Sequence, residues 1–255
     1  MRVVELIPRE VQVLWAKIFL GVVGAYALMR SAGFQSLFLN DADGIAALLQ
    51  IIGTLYSVLY AFATYVIWGQ FTAVENEIRK ESGSLKDLLL FSRPLPDRAR
   101  EPIVRAVKSY ARNVVETEWG LLSRNENTEK SDRLFLDVVS SVTEARPEDD
   151  TQRAVFERVL EIANQASAHR DERLALSVKR MPRTLHLFVS LTALMILLLV
   201  FCYPFHGVVL GFASIVITSL LLFFARFVLT DLDNPFEGSW NASNEPFGEL
   251  ITKFR

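Results

Sequence analysis

The chain has 255 residues, 51% of them apolar and 22% charged, and its mean hydropathy is +0.27. Its 27 basic and 29 acidic residues nearly balance, which excludes a strongly basic nucleic-acid-binding surface. A single cysteine, Cys202, excludes a disulfide framework and a cysteine-built zinc site. Residues 72–183 hold 20 of the basic and 20 of the acidic residues, and the flanks are largely apolar. The pattern is that of an all-α membrane protein with a polar middle.

Residues 1–10 read as a short cytoplasmic N-terminus, and 11–31 as a first transmembrane helix. Val11 to Met29 is apolar except for Gln12 and Lys17. Lys17 lies near one end of the run, where its ammonium snorkels to the interface. Ala25-Tyr26-Ala27 imitates a signal-peptide cleavage site, but the long leader with Glu5 and Glu10 argues against one. Gly21, Gly24, Ala25 and Ala27 form a small patch suited to helix packing. An outer loop, 32–43, ends in Asp41 and Asp43, and Asp43 is placed to cap the next helix.

Gly44 to Phe71 carries no charge and is the second predicted span. Within it Gln50, Thr54, Ser57, Ala61, Thr64 and Trp68 recur at steps of four and three. At ~100° per residue they fall in one stripe, with Ile51, Ile52, Leu55, Leu59 and Val66 assigned to the other side. Such a stripe serves either close packing between helices or a water-lined path when several copies surround an axis. In the second case Asp41 and Asp43 would form acidic rings at the outer mouth and favour cations.

Residues 72–183 read as a helical bundle. Phe71, Val74, Ile78, Leu85, Leu88 and Leu89 continue the second span as an amphipathic helix until Pro94 and Pro96 stop it. Asp97 is a predicted N-cap for a helix with Ile103, Val107, Tyr110, Val114, Val115 and Leu122 on one face and Trp119 near its end. Leu134, Phe135, Val138, Val139 and Val142 mark another helix. The acids of Pro147-Glu148-Asp149-Asp150-Thr151 suit the first turn of a long one, whose face is Val155, Val159, Ile162, Ala163 and Ala166.

Leu185 to Phe205 and Val208 to Ala225 are uncharged and form a hairpin of two spans, assigned to 184–205 and 206–230. A C-terminal strap, 231–255, follows. Its core is Asp231-Leu232-Asp233-Asn234-Pro235-Phe236-Glu237-Gly238, with a weaker echo at Asn244-Glu245-Pro246-Phe247-Gly248. Pro235 ends helical structure, Gly238 permits a turn, and Phe236 with Trp240 can anchor the strap. Asp231, Asp233 and Glu237 offer oxygens to calcium, although their spacing is not that of an EF-hand.

Lysines and arginines set the orientation. Arg2, Arg9, Arg79, Lys80, Lys86, Lys179, Arg180, Arg183, Arg226, Lys253 and Arg255 flank one side of the spans, and only Arg30 lies in the opposite loops. Both termini and the polar middle are therefore placed in the cytoplasm. No hydrolase, zincin, Walker or dinucleotide motif is present, and His169, His186 and His206 are scattered. An enzyme therefore has no support in the sequence, and no cofactor is implied beyond the calcium candidates.

The Asp231-x-Asp233-x-Pro235-Phe236-x-Gly238 element after the last span resembles the bestrophin-like domain family of bacterial membrane proteins. Trp68 followed by Glu75, the helix from Tyr110 to Trp119, and Arg170 to Leu174 leading to Pro182 fit the same family, so that the resemblance runs from about Gly44 to Trp240. It implies a pentameric ring of identical chains in a bacterial inner membrane. The second span would line an ion path, in the manner of bestrophin channels, and a strap would follow an Asn-Pro-Phe-Gly stretch. The dense acidic run of a bestrophin calcium strap is missing here.

The expected function is thus a homo-oligomeric ion channel favouring cations. Its partners are copies of itself, the lipid bilayer and inorganic ions, with no nucleic acid. The rival is a non-conducting membrane scaffold whose helical bundle binds partners.

Overall fold

A computed structural model of the chain describes residues 9–126, 129–147 and 149–253, with side chains described from residue 17 onward. Arg2, Glu5, Glu148 and Arg255, and the side chains of Arg9, Glu10 and Gln12, lie outside the described residues. The described residues are helical, with no strand among them: α1 (Arg9–Ser31), a 3-10 helix (Phe34–Asp41), α2 (Ala42–Phe91), α3 (Asp97–Asn113), a π-helical turn (Val114–Glu118), α4 (Trp119–Ser123), α5 (Glu129–Thr143), α6 (Asp150–Ser177), α7 (Arg183–Cys202), α8 (Val208–Leu232) and α9 (Glu245–Lys253). The outer loop expected between the first two spans is thus largely the 3-10 helix, which runs directly into α2. The chain divides into two units, Met1–Trp68 with Met181–Asp233, and Gly69–Arg180 with Asn234–Arg255.

Among the described residues, three helices are long and apolar enough to cross a membrane, contained in Phe34–Phe91, Arg183–Cys202 and Val208–Leu232. Their outward faces carry large apolar side chains, among them Ile51, Val58, Phe62, Tyr65, Leu198 and Val209. Contiguous apolar surface of that extent is covered by lipid or by a partner. Helix α1 covers the first predicted span and packs on α8, and α7 packs on α8. The glycine and alanine patch does not make the α1 contact: Gly21, Gly24 and Ala25 face outward. Tyr26 makes it, fully buried, with its ring edge-on to Phe201 and Phe212. Gly211 is what allows the close approach, since a Cβ there would collide with the Tyr26 hydroxyl. The same corner explains Arg30, the cation that the sequence assigned to the outer side and that lies in the last turn of α1. Its Nη1 donates to Gln35 Oε1 (2.9 Å) and to the Phe205 carbonyl (3.2 Å), while Gln35 Nε2 donates to the Phe201 carbonyl (3.2 Å). These are carbonyls at and just beyond the end of α7, which the helix itself leaves unpaired.

The second unit gathers residues 69–91 of α2 with α3 to α6 and α9. Its core includes Ile78, Leu85, Leu88, Ile103, Val107, Val138, Val159, Ile162 and Phe247. The helix faces read from periodicity are those that pack. Two caps differ: Asp43, expected to cap the second span, lies inside the first turn of α2, which begins at Ala42 straight from the 3-10 helix, and Pro96 holds the N-cap position of α3 without a side-chain bond, so that Asp97 is the first helical residue. A proline ahead of the helix has its φ already fixed, so the helix starts one residue later than a capping Asp97 would place it. Asp149, by contrast, caps α6 by accepting from the Gln152 amide (2.7 Å).

Within this core lies a charged cluster. Arg173 is fully buried; its Nε donates to Glu81 Oε2 (2.6 Å), and its Nη2 lies 2.6 Å from Glu118 Oε1. Glu81 Oε1 also accepts from the Tyr110 hydroxyl (2.5 Å), and Tyr110 accepts from Arg170 Nε (3.2 Å). Arg170 continues to Asp132 (2.6 Å). The Arg173 guanidinium lies over the Phe247 ring, and that of Arg170 over Phe135. Burial, reinforced by the Glu81 carboxylate, pushes the Tyr110 phenol well above its usual range. Burial alone would favour a neutral Arg173, but Glu81 and Glu118 hold it charged. Removing the cation from such a group strands buried charge, which costs roughly 3–5 kcal/mol.

Glu81 and Glu118 are not equivalent. Glu81 accepts hydrogen bonds at both oxygens, whereas neither oxygen of Glu118 has a hydrogen bond of acceptable geometry. In Glu81→Gln the amide would turn a donor toward Tyr110 or Arg173; in Glu118→Gln only Coulombic attraction is lost. Thermal unfolding of the full chain in detergent should rank the midpoints Arg173→Met lowest, then Glu81→Gln, then Glu118→Gln. A Glu118→Gln midpoint at or below that of Glu81→Gln would contradict this assignment.

Candidate functional site

The polar stripe of α2 lies wholly in the first unit. Gln50, Thr54, Ser57, Ala61 and Trp68 are exposed and Thr64 is half-buried. The hydroxyls of Thr54, Ser57 and Thr64 each donate to the carbonyl four residues back, at 2.8 Å. Each proton is thereby engaged within the helix, and the oxygen lone pairs are what the stripe presents outward. Asp41 and Asp43 are exposed beside the start of α2.

The rest of α2 divides differently from the expected pair of opposite faces. Ala63 and Ile67 are buried, with Tyr56, Leu59 and Tyr60 packed around the same cluster. Ile51, Leu55, Val58, Phe62 and Tyr65 form a separate exposed ridge. At ~100° per residue this ridge stands about 100° round the helix from the stripe. Ile51 and Leu55 therefore belong to an outward face, while Ile52, Leu59 and Val66 are partly covered. Periodicity could separate polar from apolar positions, but not one apolar face from another.

The strap residues have structural partners. Asp233 Oδ1 accepts from the Met181 backbone amide (2.7 Å) just ahead of α7, and Oδ2 lies 3.5 Å from His186 Nε2. His186 Nδ1 accepts from Arg226 Nη1 (2.8 Å), which puts the ring proton on Nε2, facing Asp233. In the second unit, Asn234 Nδ2 donates to the Ser123 carbonyl (2.8 Å) and to Glu237 Oε2 (3.2 Å), and Asn234 Oδ1 accepts from Arg180 (3.2 Å). Pro235 and Phe236 are buried; Gly238 adopts a φ of 95°, in the left-handed region that favours glycine.

Phe236 packs edge-on to Trp119, and Phe247 of the echo motif approaches the same indole. The two Pro-Phe pairs thus place two rings on one tryptophan. Trp240, expected beside Phe236 as an anchor, is instead exposed. Among the described residues no group of three or more His, Cys, Asp or Glu is placed to hold a metal ion.

Motif reading missed the Glu81–Arg173–Glu118 cluster, although a signal was present. Glu81 falls between Ile78 and Leu85 on the apolar face, Glu118 follows Val114 by four, and Arg170 follows Ala166 by four. Charges on a core stripe mark buried pairs.

A family model described as Bestrophin-like domain matches residues 18–247. Among solved structures the chain is similar to single-substitution variants of a bacterial bestrophin homologue from Klebsiella pneumoniae. One has a TM-score of 0.70 at 12% identity, covering 92% of this chain and 97% of that one. Another has a TM-score of 0.70 at 13% identity, covering 92% and 96%. A third structure of a bestrophin homologue from that organism, phased on zinc, has a TM-score of 0.65 at 11% identity, covering 92% and 95%. At these identities the likeness is one of fold. No curated protein matches the chain significantly.

The role of Asp233 is testable. Asp233→Ala removes the acceptor for the Met181 amide and should lower stability by about 1 kcal/mol, as loss of a helix cap does. Asp233→Asn keeps Oδ1 and should unfold nearer the unsubstituted chain. Equal thermal midpoints for the two variants would show that the bond to Met181 contributes nothing.

Proposed function

The chain belongs to the bestrophin-like family of integral membrane proteins, and on that footing we propose that it forms a homo-oligomeric, pentameric ion channel with α2 around the axis. The observation that carries this reading is the polar stripe of α2, which the chain's own packing leaves open. An amide such as Gln50 facing hydrocarbon would forfeit its hydrogen bonds. A stripe of this kind in an apolar helix calls for water or for other copies of the same helix. The outward lone pairs of Thr54, Ser57 and Thr64 favour cations over anions, and exposed Asp41 and Asp43 bias the outer mouth the same way. The positive-inside bias puts both termini and residues 72–183 in the cytoplasm, and the membrane would be the bacterial inner membrane. On this reading α1 would be a fourth span per subunit beside α2, α7 and α8.

Two measurements decide between this and a non-conducting scaffold. In mild detergent, with bound detergent subtracted, the particle should have the mass of five 28.8 kDa chains; a monomer or dimer that persists in lipid would end the pore reading. In a Cys202→Ser background, single cysteines replacing Thr54, Ser57 and Thr64 should react with small hydrophilic thiol reagents faster than cysteines replacing Leu55, Val58 and Phe62. The reverse order would put the apolar ridge, not the stripe, on the water path, and no reaction at either would favour the scaffold.

Selectivity has its own test. Replacing Asp41 and Asp43 together by asparagine should move the reversal potential under a salt gradient toward less cation preference. An unchanged potential would remove both residues from the permeation route.

A further inference from the structure

Helices α2, α7 and α8 part in the first unit to leave a cleft of about 230 Å³ that the polar stripe does not enter. Its walls are mainly apolar, with Leu194 and Phe223 among them, but Tyr56, Ser190, Ser219 and Arg226 also line it. Two of these polar groups are unaccounted for by the fold. Ser219 is 1% exposed, and its hydroxyl has no hydrogen-bond partner among the described residues. Arg226 is exposed and is the single charged residue between Val208 and Thr230. Its Nη1 is engaged by His186 and Ser190, while Nη2 and Nε make no bond among the described residues.

The placement of the charge limits what could occupy the cleft. Helix α8 has 25 residues, about 37 Å at ~1.5 Å per residue, against a hydrocarbon core of ~30 Å. Arg226 lies six residues before the end of α8, or about 9 Å of rise, and a guanidinium at that depth reaches the interface by snorkelling. The groups facing it are His186, which accepts its hydrogen bond, and beyond that Asp233, whose carboxylate is turned to the Met181 amide and His186. An open cation thus stands at the interfacial end of an apolar cleft, with an unpaired hydroxyl deeper in. An acyl chain ending in an anionic phosphate is the feature of one kind of molecule native to this solvent.

We propose that the cleft between α2, α7 and α8 binds an anionic phospholipid, its phosphate on Arg226 and an acyl chain running inward past Phe223 and Leu194 toward Ser219. The inference rests on membrane insertion and not on conduction.

The full chain in mild detergent is incubated with dioleoyl phosphatidylglycerol, dioleoyl phosphatidylcholine or inorganic phosphate, and adducts per chain are counted by native mass spectrometry. Phosphatidylglycerol should bind about tenfold more tightly than phosphatidylcholine, whose phosphate accepts the same hydrogen bond but carries a choline cation that the Arg226 guanidinium repels. Arg226→Gln should bring the two lipids near parity. Ala193→Trp, which fills the cleft, should abolish both adducts, and Leu198→Trp on the outward face of α7 should abolish neither, separating cleft filling from misfolding. Equal binding of the two lipids by the unsubstituted chain, full preference retained in Arg226→Gln, or inorganic phosphate binding as well as the lipid would overturn the proposal. A smaller number of chains per particle in Ala193→Trp, with the lipid count unchanged, would assign the cleft to a second copy instead.

Discussion

A backbone or side-chain polar group left unpaired in hydrocarbon costs several kcal/mol, and only structures that pair such groups internally can cross a bilayer. Much of the first unit follows from that constraint. Its spans are helices, and the hydroxyls of α2 turn back on their own carbonyls. Thr192 and Ser190 in α7 do the same. Where α7 ends, the chain continues without helical partners, and Arg30 and Gln35 reach across to supply donors. Where α7 is about to begin, Asp233 supplies an acceptor to the Met181 amide. Residues that look like chemistry in a motif search are here occupied with backbone groups at helix ends.

In the second unit the constraint acts on charge. Arg173 and Arg170 project from one helix into the core, where Glu81, Glu118, Tyr110 and Asp132 receive them. A buried ion cluster contributes less to net stability than a hydrophobic core of the same volume, but it penalises misregistered packing heavily, because a slip would strand charge. The π-helical turn at Val114–Glu118 bears on this directly. It inserts an extra residue into the helix, and it leaves Glu116 exposed and Glu118 fully buried beside Arg173. The aromatic grip of Phe236 and Phe247 on Trp119 ties the chain's last segment to the same region, with Phe247 beneath the Arg173 guanidinium.

Helix α2 presents three different faces over its apolar half: one packed, one polar and one apolar but open. A helix inside a monomeric membrane bundle would need only the first and a lipid-facing third. The polar face is the surplus, and it is the feature on which the proposed channel rests. The cleft beside Arg226, which the stripe does not enter, is a second surplus. It pairs an apolar wall with the single charged residue between Val208 and Thr230.

Several features were legible from one-dimensional information. Apolar runs of about twenty residues located α7 and α8, Pro94 and Pro96 marked where α2 stops, and the i, i+3, i+4 pattern picked the buried faces of α3, α5 and α6. The strap motif was visible as a distinctive string, and it carried the family resemblance. These features depend on residues near one another in the chain, so that propensity and periodicity report them. The rest depends on how each helix is rotated about its own axis against its neighbours. That rotation decides that Ile51 faces out while Ile52 is partly covered, that Gly211 must stay small beneath Tyr26, that Phe247 rather than Trp240 joins Phe236 at Trp119, and that Arg173 meets two carboxylates from other helices. Partners far apart in sequence leave no periodic trace of each other, and only the tertiary packing brings them together.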